Sequence, residues 1–435
     1  MQINYFSPLL PAQSGISEVA EQVIPALARH ANITIWTEQS TWSAMLERYA
    51  QVKTYNPKQI PWDAIAKADT HIYHLGNNVE YHHHIWRISQ QLPGIVVLHD
   101  VQLHHLFCGI TCGIEQNPES YIQQIIQCYG IEASLTARRF LSGELPISAV
   151  EHYGMTEWAL KNATGVIVHT RTALQELAMT NRWPIGYQPL PFQAPPQLAP
   201  PHRTAAPPYR LIIFGYIGHN RRVASVLSAL GNLPNRSDFR LDIYGKLSDD
   251  APILEQIEVL NLETQVTVHG FVEDTVLDQA LGQADLAINL RYPTMGEASI
   301  SQLRIWQHAL PALVTQVGWY AEQPNDTVCF VRPDHEIADI QHYLQAFAAD
   351  PAQFRAIGAK GRQRLETDHS PAAYAQAIVD FARTVQTQQH HLSTQYWLER
   401  SAAILSPWQA GVSHPQSTDR VAAAISWLSG SPVTE

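Results

Sequence analysis

One stretch of this chain brings together residue types able to hold an anionic or hydroxyl-rich ligand. In LAINLRYPTMGEASISQLRIWQHALPALVTQV (286–317) an apolar run reads as a buried parallel strand. A small polar loop follows, a helix opens, and Pro311 closes it before a second apolar run. Such a loop presents free backbone N–H groups and the positive end of a helix dipole at the carboxyl end of a strand. Gly296 lets the backbone approach a ligand, Ser299 or Thr294 can cap the helix, and Glu297 and Ala298 complete the loop. Taken alone, the segment reads more readily as a plain β–α connection, and the residues elsewhere in the chain shift that balance.

Other strand ends carry matching chemistry. GIVVLHD (94–100) sets His99 and Asp100 at the end of a buried strand, and HLGNN sets Gly76, Asn77 and Asn78 at the end of its neighbour. FGYIGHNRR ends a strand with Arg221 and Arg222 just before a helix, and IYGK ends the next with Lys246. Cations at strand ends beside a cleft suit a diphosphate. Arg221 and Arg222 also fit a solvated helix start, although a helix N-terminus disfavours cations, which points to an anionic partner. His99 fits a hydrogen-bonded core histidine as well as it fits a ligand contact.

These residues need a scaffold that gathers strand ends. Strand candidates at 2–6, 32–36, 70–76, 94–100 and 165–170 alternate with helical stretches, the pattern of a doubly wound parallel sheet. Val19, Val23, Ile24 and Leu27 recur at helical spacing after the first strand, with Pro25 expected to kink that helix. Eight prolines between Pro189 and Pro208 then read as a stiff linker, after which the alternation restarts. The expected organisation is an α/β domain over 1–190, a linker over 191–208, a second α/β domain over 209–385, and a helical extension over 386–435, with a ligand cleft between the halves. SPAAYAQAIVDFARTV, from Ser370, reads as an amphipathic helix. Neither half carries GxGxxG or a Walker loop, which disfavours dinucleotide and P-loop chemistry.

Composition narrows the classes further. The 435 residues are 45% hydrophobic and 15% charged, a globular balance. A net charge of −11 argues against nucleic acid as a partner. No apolar run is long enough to span a bilayer, and MQINYFSPLL lacks the features of a signal peptide. Four cysteines without zinc-like spacing suggest a reduced, cytoplasmic protein. The 21 histidines cluster at 82–84, 104–105 and 390–391 without acidic or cysteine partners at ligand spacing, so they read as solvated or packed and no metal is assigned.

With these residues in place the chain resembles the retaining glycosyltransferases of family 4, whose fold is GT-B: two facing Rossmann-like, doubly wound parallel-sheet domains with an interdomain cleft. The resemblance runs over nearly all of residues 1–385. It is carried in order by PAQSGISEVAEQVIPALA, HLGNN, PGIVVLHDVQLHHL, GVIVHT, FGYIGHNRRVASVLSAL, VTVHGFV and LRYPTMGEAS with ALPALVTQVGW. It implies that Gly15 approaches the nucleotide diphosphate and acceptor, that His99 contacts the transferred sugar, and that Arg222 stabilises the leaving diphosphate. The backbone from Gly296 to Ser299 would bond sugar hydroxyls and phosphate.

Two departures stand out. Tyr216 occupies the position where the family usually has an arginine, which shifts diphosphate binding onto Arg221, Arg222 and Lys246. The family's pair of glutamates, the second of which holds the ribose, is incomplete: that slot holds Arg304 or Ile305, depending on the alignment. Arg304 is then free to face solvent, pair with a carboxylate such as Glu297, or touch phosphate.

The expected activity is transfer of a sugar from a nucleotide-sugar donor to an acceptor hydroxyl, with retention and without a metal or other cofactor. A catalytically inactive protein of the same fold, serving binding or scaffolding, is the alternative that the missing glutamate raises. The acidic Glu18 and Glu21 on the first helix, opposed by Arg29, do not indicate membrane association and favour a glycan or small-molecule acceptor.

Overall fold

A computed structural model describes residues 1–193, 206–247 and 251–387. The core of the proline-rich linker, 194–205, and the extension from 388 onward lie outside the described residues.

The chain builds two sheets. The first contains Gln2–Phe6 (β1), Asn32–Thr37 (β2), Gln51–Thr54 (β3), Thr70–Leu75 (β4), Ile95–Leu98 (β5), Gly165–Val168 (β6) and Ile185–Tyr187 (β7), in the order β3-β2-β1-β4-β5-β6-β7. The second contains Tyr209–Phe214 (β8), Phe239–Tyr244 (β9), Val266–Gly270 (β10), Leu286–Asn289 (β11), Ala312–Thr315 (β12) and Cys329–Val331 (β13), in the order β10-β9-β8-β11-β12-β13. Every paired strand runs parallel. The strand order reverses between β1 and β4 in one sheet and between β8 and β11 in the other. Both reversals open a crevice at the strands' carboxyl ends.

Alternation along the strands divides the first sheet's two faces. Ile3, Tyr5, Ile72, Ile95, Val97 and Ile167 belong to one core, and Phe6, Tyr73, Val96, Leu98, Val166 and Val168 to another. The expected first helix forms over Gly15–Leu27. It buries Val19, Val23, Ile24 and Leu27, and Pro25 falls in its last turn instead of breaking it midway.

The helix expected from Ser370 is present over 371–387, but it packs on the first sheet, not the second. Gly165 and Gly186 leave room for Phe381, whose ring atoms stand 3.1 Å from where either glycine's Cβ would be. Gln386 bonds back to the Asp69 carbonyl. Tyr374, Ile378, Val379 and Ala382 therefore join one core with Ile3 and Tyr5 of the first sheet and with Leu303, Trp306 and Leu365 of the second half. The two halves share that core.

Because Ile378 is fully buried in it, Ile378→Ala should destabilise the protein by about 2–5 kcal/mol. Urea unfolding followed by fluorescence should show one transition moved to lower denaturant, not the early loss of one half.

Candidate functional site

Each crevice is furnished by a loop and a capped helix. Ser14 caps Gly15–Leu27 by accepting from the Ile16 N–H at 3.3 Å, and Asn78 caps Val79–Ser89 through the Glu80 N–H at 2.8 Å. On the opposite side Ser299 caps Ile300–Gln307 by accepting from the Gln302 N–H at 3.1 Å. Thr294 has a different duty: it accepts from the Gly296 N–H and donates to Glu297 Oε2 at 2.8 Å. Glu297 Oε2 also accepts from the Met295 N–H at 2.7 Å, so this carboxylate shapes its own loop.

The two loops meet. The N–H groups of Val101 and Gln102 both donate to the Met295 carbonyl at 2.9 Å. Gly296 has φ +78°, and a Cβ there would stand 2.7 Å from Val101 Cβ, so glycine is required for both reasons. Beside this contact lies a cleft of about 360 Å³. Gly15, Asn77, Asn78, His99 and Asp100 line it from the first half, and Glu297, Ala298 and Ser299 from the second. A larger groove of about 880 Å³ opens near the linker, among Pro25, Arg29, Tyr49 and Arg362. It contains none of the strand-end groups, so the smaller cleft is the site.

The two arginines expected to act together are separated. Arg222 takes φ +56° and turns away from the cleft; its Nε bonds Glu336 at 2.8 and 2.9 Å, and Ser225 completes the carboxylate's partners. Arg221 is buried beneath the cleft wall, donating to Asn289 Oδ1 at 2.7 Å, to Ser301 Oγ at 3.3 Å and to the Tyr216 carbonyl. Burial, with Arg291 adding to it, holds its pKa down to about 9, so it stays charged at neutral pH. Lys246 is exposed after β9 and does not line the cleft. Arg304 pairs not with Glu297 but with Asp274 at 2.8 Å and Asp278 at 3.0 Å.

Sequence reasoning missed four contributors. Arg291 lines the cleft and stands 3.4 Å from Glu297. It stands two residues past strand β11, the same offset at which Lys246 follows β9. Glu18 and His82 also line the cleft, and His74, buried one layer behind, holds His99 with Nδ1 2.9 Å from His99 Nε2.

Electrostatics sets two of these groups apart. Asp100 Oδ2 accepts from the Asn77 N–H at 2.7 Å. Burial and the facing Glu297 carboxylate nevertheless push its pKa up to about 7, against the opposing pull of that N–H and of Arg291. His99 is held well below the usual histidine range by burial first and by His169, His74 and His82 next, so it is neutral.

Comparison with known proteins agrees with this architecture. Residues 198–364 match the family described as Glycosyl transferases group 1. No curated protein sequence matches the chain. Among solved structures, the chain is similar to Anabaena HepE in complex with UDP (12% identity, 88% of this chain and 100% of that one, TM-score 0.58). It is likewise similar to WaaG, a glycosyltransferase involved in lipopolysaccharide biosynthesis (16%, 86% and 98%, TM-score 0.56). A third is the sucrose-phosphate synthase of Thermosynechococcus elongatus (16%, 89% and 99%, TM-score 0.58). The fold is GT-B, and the match to the group 1 glycosyl transferase family falls on the second half of the chain.

Two outcomes follow from these pairings. Arg222→Ala would strand Glu336, which is buried, and should cost up to about 3–5 kcal/mol of stability, visible as a lower urea midpoint. The pH dependence of stability should be dominated by histidine. Eight histidines (71, 74, 82, 83, 99, 104, 169 and 369) have lowered pKa values, four of them about 4. Unfolding would let each take up a proton below its ordinary 6.5, so their stabilisation is lost as pH falls from about 6.5 to 4. Asp100 runs the other way, its contribution being lost as pH rises through about 7. Urea midpoints measured between pH 8 and 4.5 should therefore fall steeply on the acid side.

Proposed function

We infer that this protein transfers a sugar from a nucleotide-sugar donor to an acceptor hydroxyl with retention, by a metal-independent front-face route. The observation that carries this reading is the juxtaposition, in one cleft, of the Glu297–Ser301 helix entrance with His99, Asp100 and Asn77. HepE, which shares this fold, has been solved in complex with UDP and with UDP-glucose, which supports a nucleotide-sugar donor here.

In this reading the diphosphate rests on the N-terminus of Ile300–Gln307, whose first-turn N–H groups have no intrahelical acceptor. Arg291 at the cleft and Arg221 behind Ser301 supply positive charge in a region where water is scarce, and preorganised charge is most effective there. Asn77, Asn78 and His99 face the sugar. As the bond to the leaving phosphate breaks, an oxocarbenium-like centre forms, and the acceptor hydroxyl attacks from the same side. The leaving phosphate oxygen takes the acceptor's proton, so no protein base is required, and positioning does most of the work. The acceptor is a glycan or a small molecule, and the compartment is the cytoplasm. Among the described residues no helix is long and apolar enough to cross a membrane.

The test is a screen of isotope-labelled nucleotide sugars for transfer, hydrolysis and binding. Binding of at least one donor, with retained anomeric configuration in the product, is expected; absence of binding and hydrolysis across common donors would overturn the reading. Arg221→Met should reduce kcat/KM by the equivalent of about 2–4 kcal/mol. Donor affinity should also rise as pH falls from 8 to 6, because protonation of Asp100 removes a negative charge facing an anionic ligand, and Asp100→Asn should flatten that dependence in calorimetry.

A further inference from the structure

Three acceptors hold the guanidinium of Arg221 in one orientation. Nε donates to the Tyr216 carbonyl at 3.3 Å, Nη1 to Asn289 Oδ1 at 2.7 Å and Nη2 to Ser301 Oγ at 3.3 Å. Turning the Asn289 amide over would forfeit two bonds, because its Nδ2 donates to Gln302 Oε1 at 3.0 Å. Gly215 clears the space for the cation: its φ is +107°, and a Cβ there would stand 2.7 Å from Arg221 Nη2. Arg221 is 5% exposed and does not line the cleft, whereas Ser301 is half-buried and does. The cation thus lies behind the ligand space, with Ser301 in front of it.

The hydrogen-bond inventory of these groups fixes what Ser301 can offer. A guanidinium only donates, so Ser301 Oγ accepts from it and directs its own proton elsewhere. Among the described residues Ser301 Oγ has no second partner. The hydroxyl stands in the first turn of Ile300–Gln307, beside backbone N–H groups that have no intrahelical acceptor. An O–H, neighbouring amides and a buried cation therefore address the same space. Their common complement is an anion that only accepts. A phosphoryl oxygen meets that demand better than a sugar hydroxyl, which must also place a proton of its own.

We propose that the Ser301 hydroxyl donates to a phosphoryl oxygen of the donor's diphosphate, and that Arg221 acts on the leaving group only through Ser301. Arg221 is then a positioning residue, and Ser301 is the group that touches substrate. Two effects pass along this pair. The guanidinium fixes which way the hydroxyl proton points, so no reorientation is needed when the diphosphate arrives. It also polarises the O–H bond, since a hydroxyl that accepts from a cation becomes a stronger donor. The buried charge thereby reaches the leaving group without the guanidinium entering the cleft.

The proposal rests on the sugar-transfer reading, and calorimetry on the full-length protein tests the two separately. UDP, GDP and ADP are the probes, and the one that wild type binds most tightly is carried through the variants. Ser301→Ala should weaken its binding about tenfold, the scale of one hydrogen bond to a charged group, with the urea midpoint unchanged. Ser301→Thr keeps the hydroxyl and should bind within about threefold of wild type, a rescue that lost packing would not give. Arg221→Met should cost affinity in the wild-type background and little more in the Ser301→Ala background, because its route to the phosphate is already cut. Should Arg221→Met not fold, the two Ser301 variants decide the matter. Undiminished affinity in Ser301→Ala overturns the proposal, as does a loss in Ser301→Thr equal to that in Ser301→Ala. An Arg221→Met effect of full size in both backgrounds overturns the relay. Wild-type protein that binds none of the three diphosphates would instead count against the sugar-transfer reading itself.

Discussion

The carbonyl oxygen of Met295 is the point on which the site depends. It accepts from two successive N–H groups of the other half, Val101 and Gln102, and so fills both its lone pairs across the domain boundary. A backbone acceptor used this way fixes separation and orientation together, because neither partner is a flexible side chain. The contact is sterically exclusive as well, since the Gly296 backbone rests against Val101 where any Cβ would collide. Once those loops touch, Asp100 and Glu297 must face each other, and Arg291 is drawn between them.

Two further contacts hold that alignment. Glu322, from the second half, accepts from the Arg171 N–H at 2.9 Å and the Thr172 N–H at 2.8 Å, so it caps the N-terminus of Arg171–Ala178 in the first half. A carboxylate at that end also complements the helix dipole. The helix over 371–387 then shares the core of the first sheet, and the chain just before it is tied down where the Phe192 N–H donates to the His369 carbonyl at 2.8 Å. Hydrogen bonds set the geometry of the interface, but apolar burial is the larger stabilising effect, because a net hydrogen bond contributes only about 1 kcal/mol.

Much of the fold was legible because both sheets are parallel and buried, so their central strands read as unbroken apolar runs such as IVVL and GVIV. The strands that escaped notice are at sheet edges: QVKT of β3, IGY of β7 and CFV of β13 are four residues or fewer and lack such a run. In the site, His99, Asp100, Asn77 and the 296–299 loop could be named from their place at strand ends. Arg221 and Arg222 could not be told apart, since adjacent residues differ only through a left-handed turn at Arg222 that the sequence does not announce. The histidines behind His99 come from positions 74, 82 and 169. Three separate strands and helices bring them together, and no local pattern encodes that meeting.

Arg304 shows how a departure in sequence can be offset in space. In the family resemblance its slot carries a carboxylate, and an arginine there reverses the charge and exchanges acceptors for donors. The structure surrounds that guanidinium with Asp274 and Asp278 from the neighbouring helix, both within 3.0 Å, and most of its donors are engaged. Glu18, reaching in from the first half, feels the same group: burial raises its pKa, and Arg304 opposes that rise. Three carboxylates around one cation leave this corner of the cleft acidic, as it would be with a glutamate in the slot. Glu18 is the carboxylate among them that lines the cavity. A helix of the first half thus brings a carboxylate to the cleft lining, while the helix of the second half carries an arginine tied to Asp274 and Asp278.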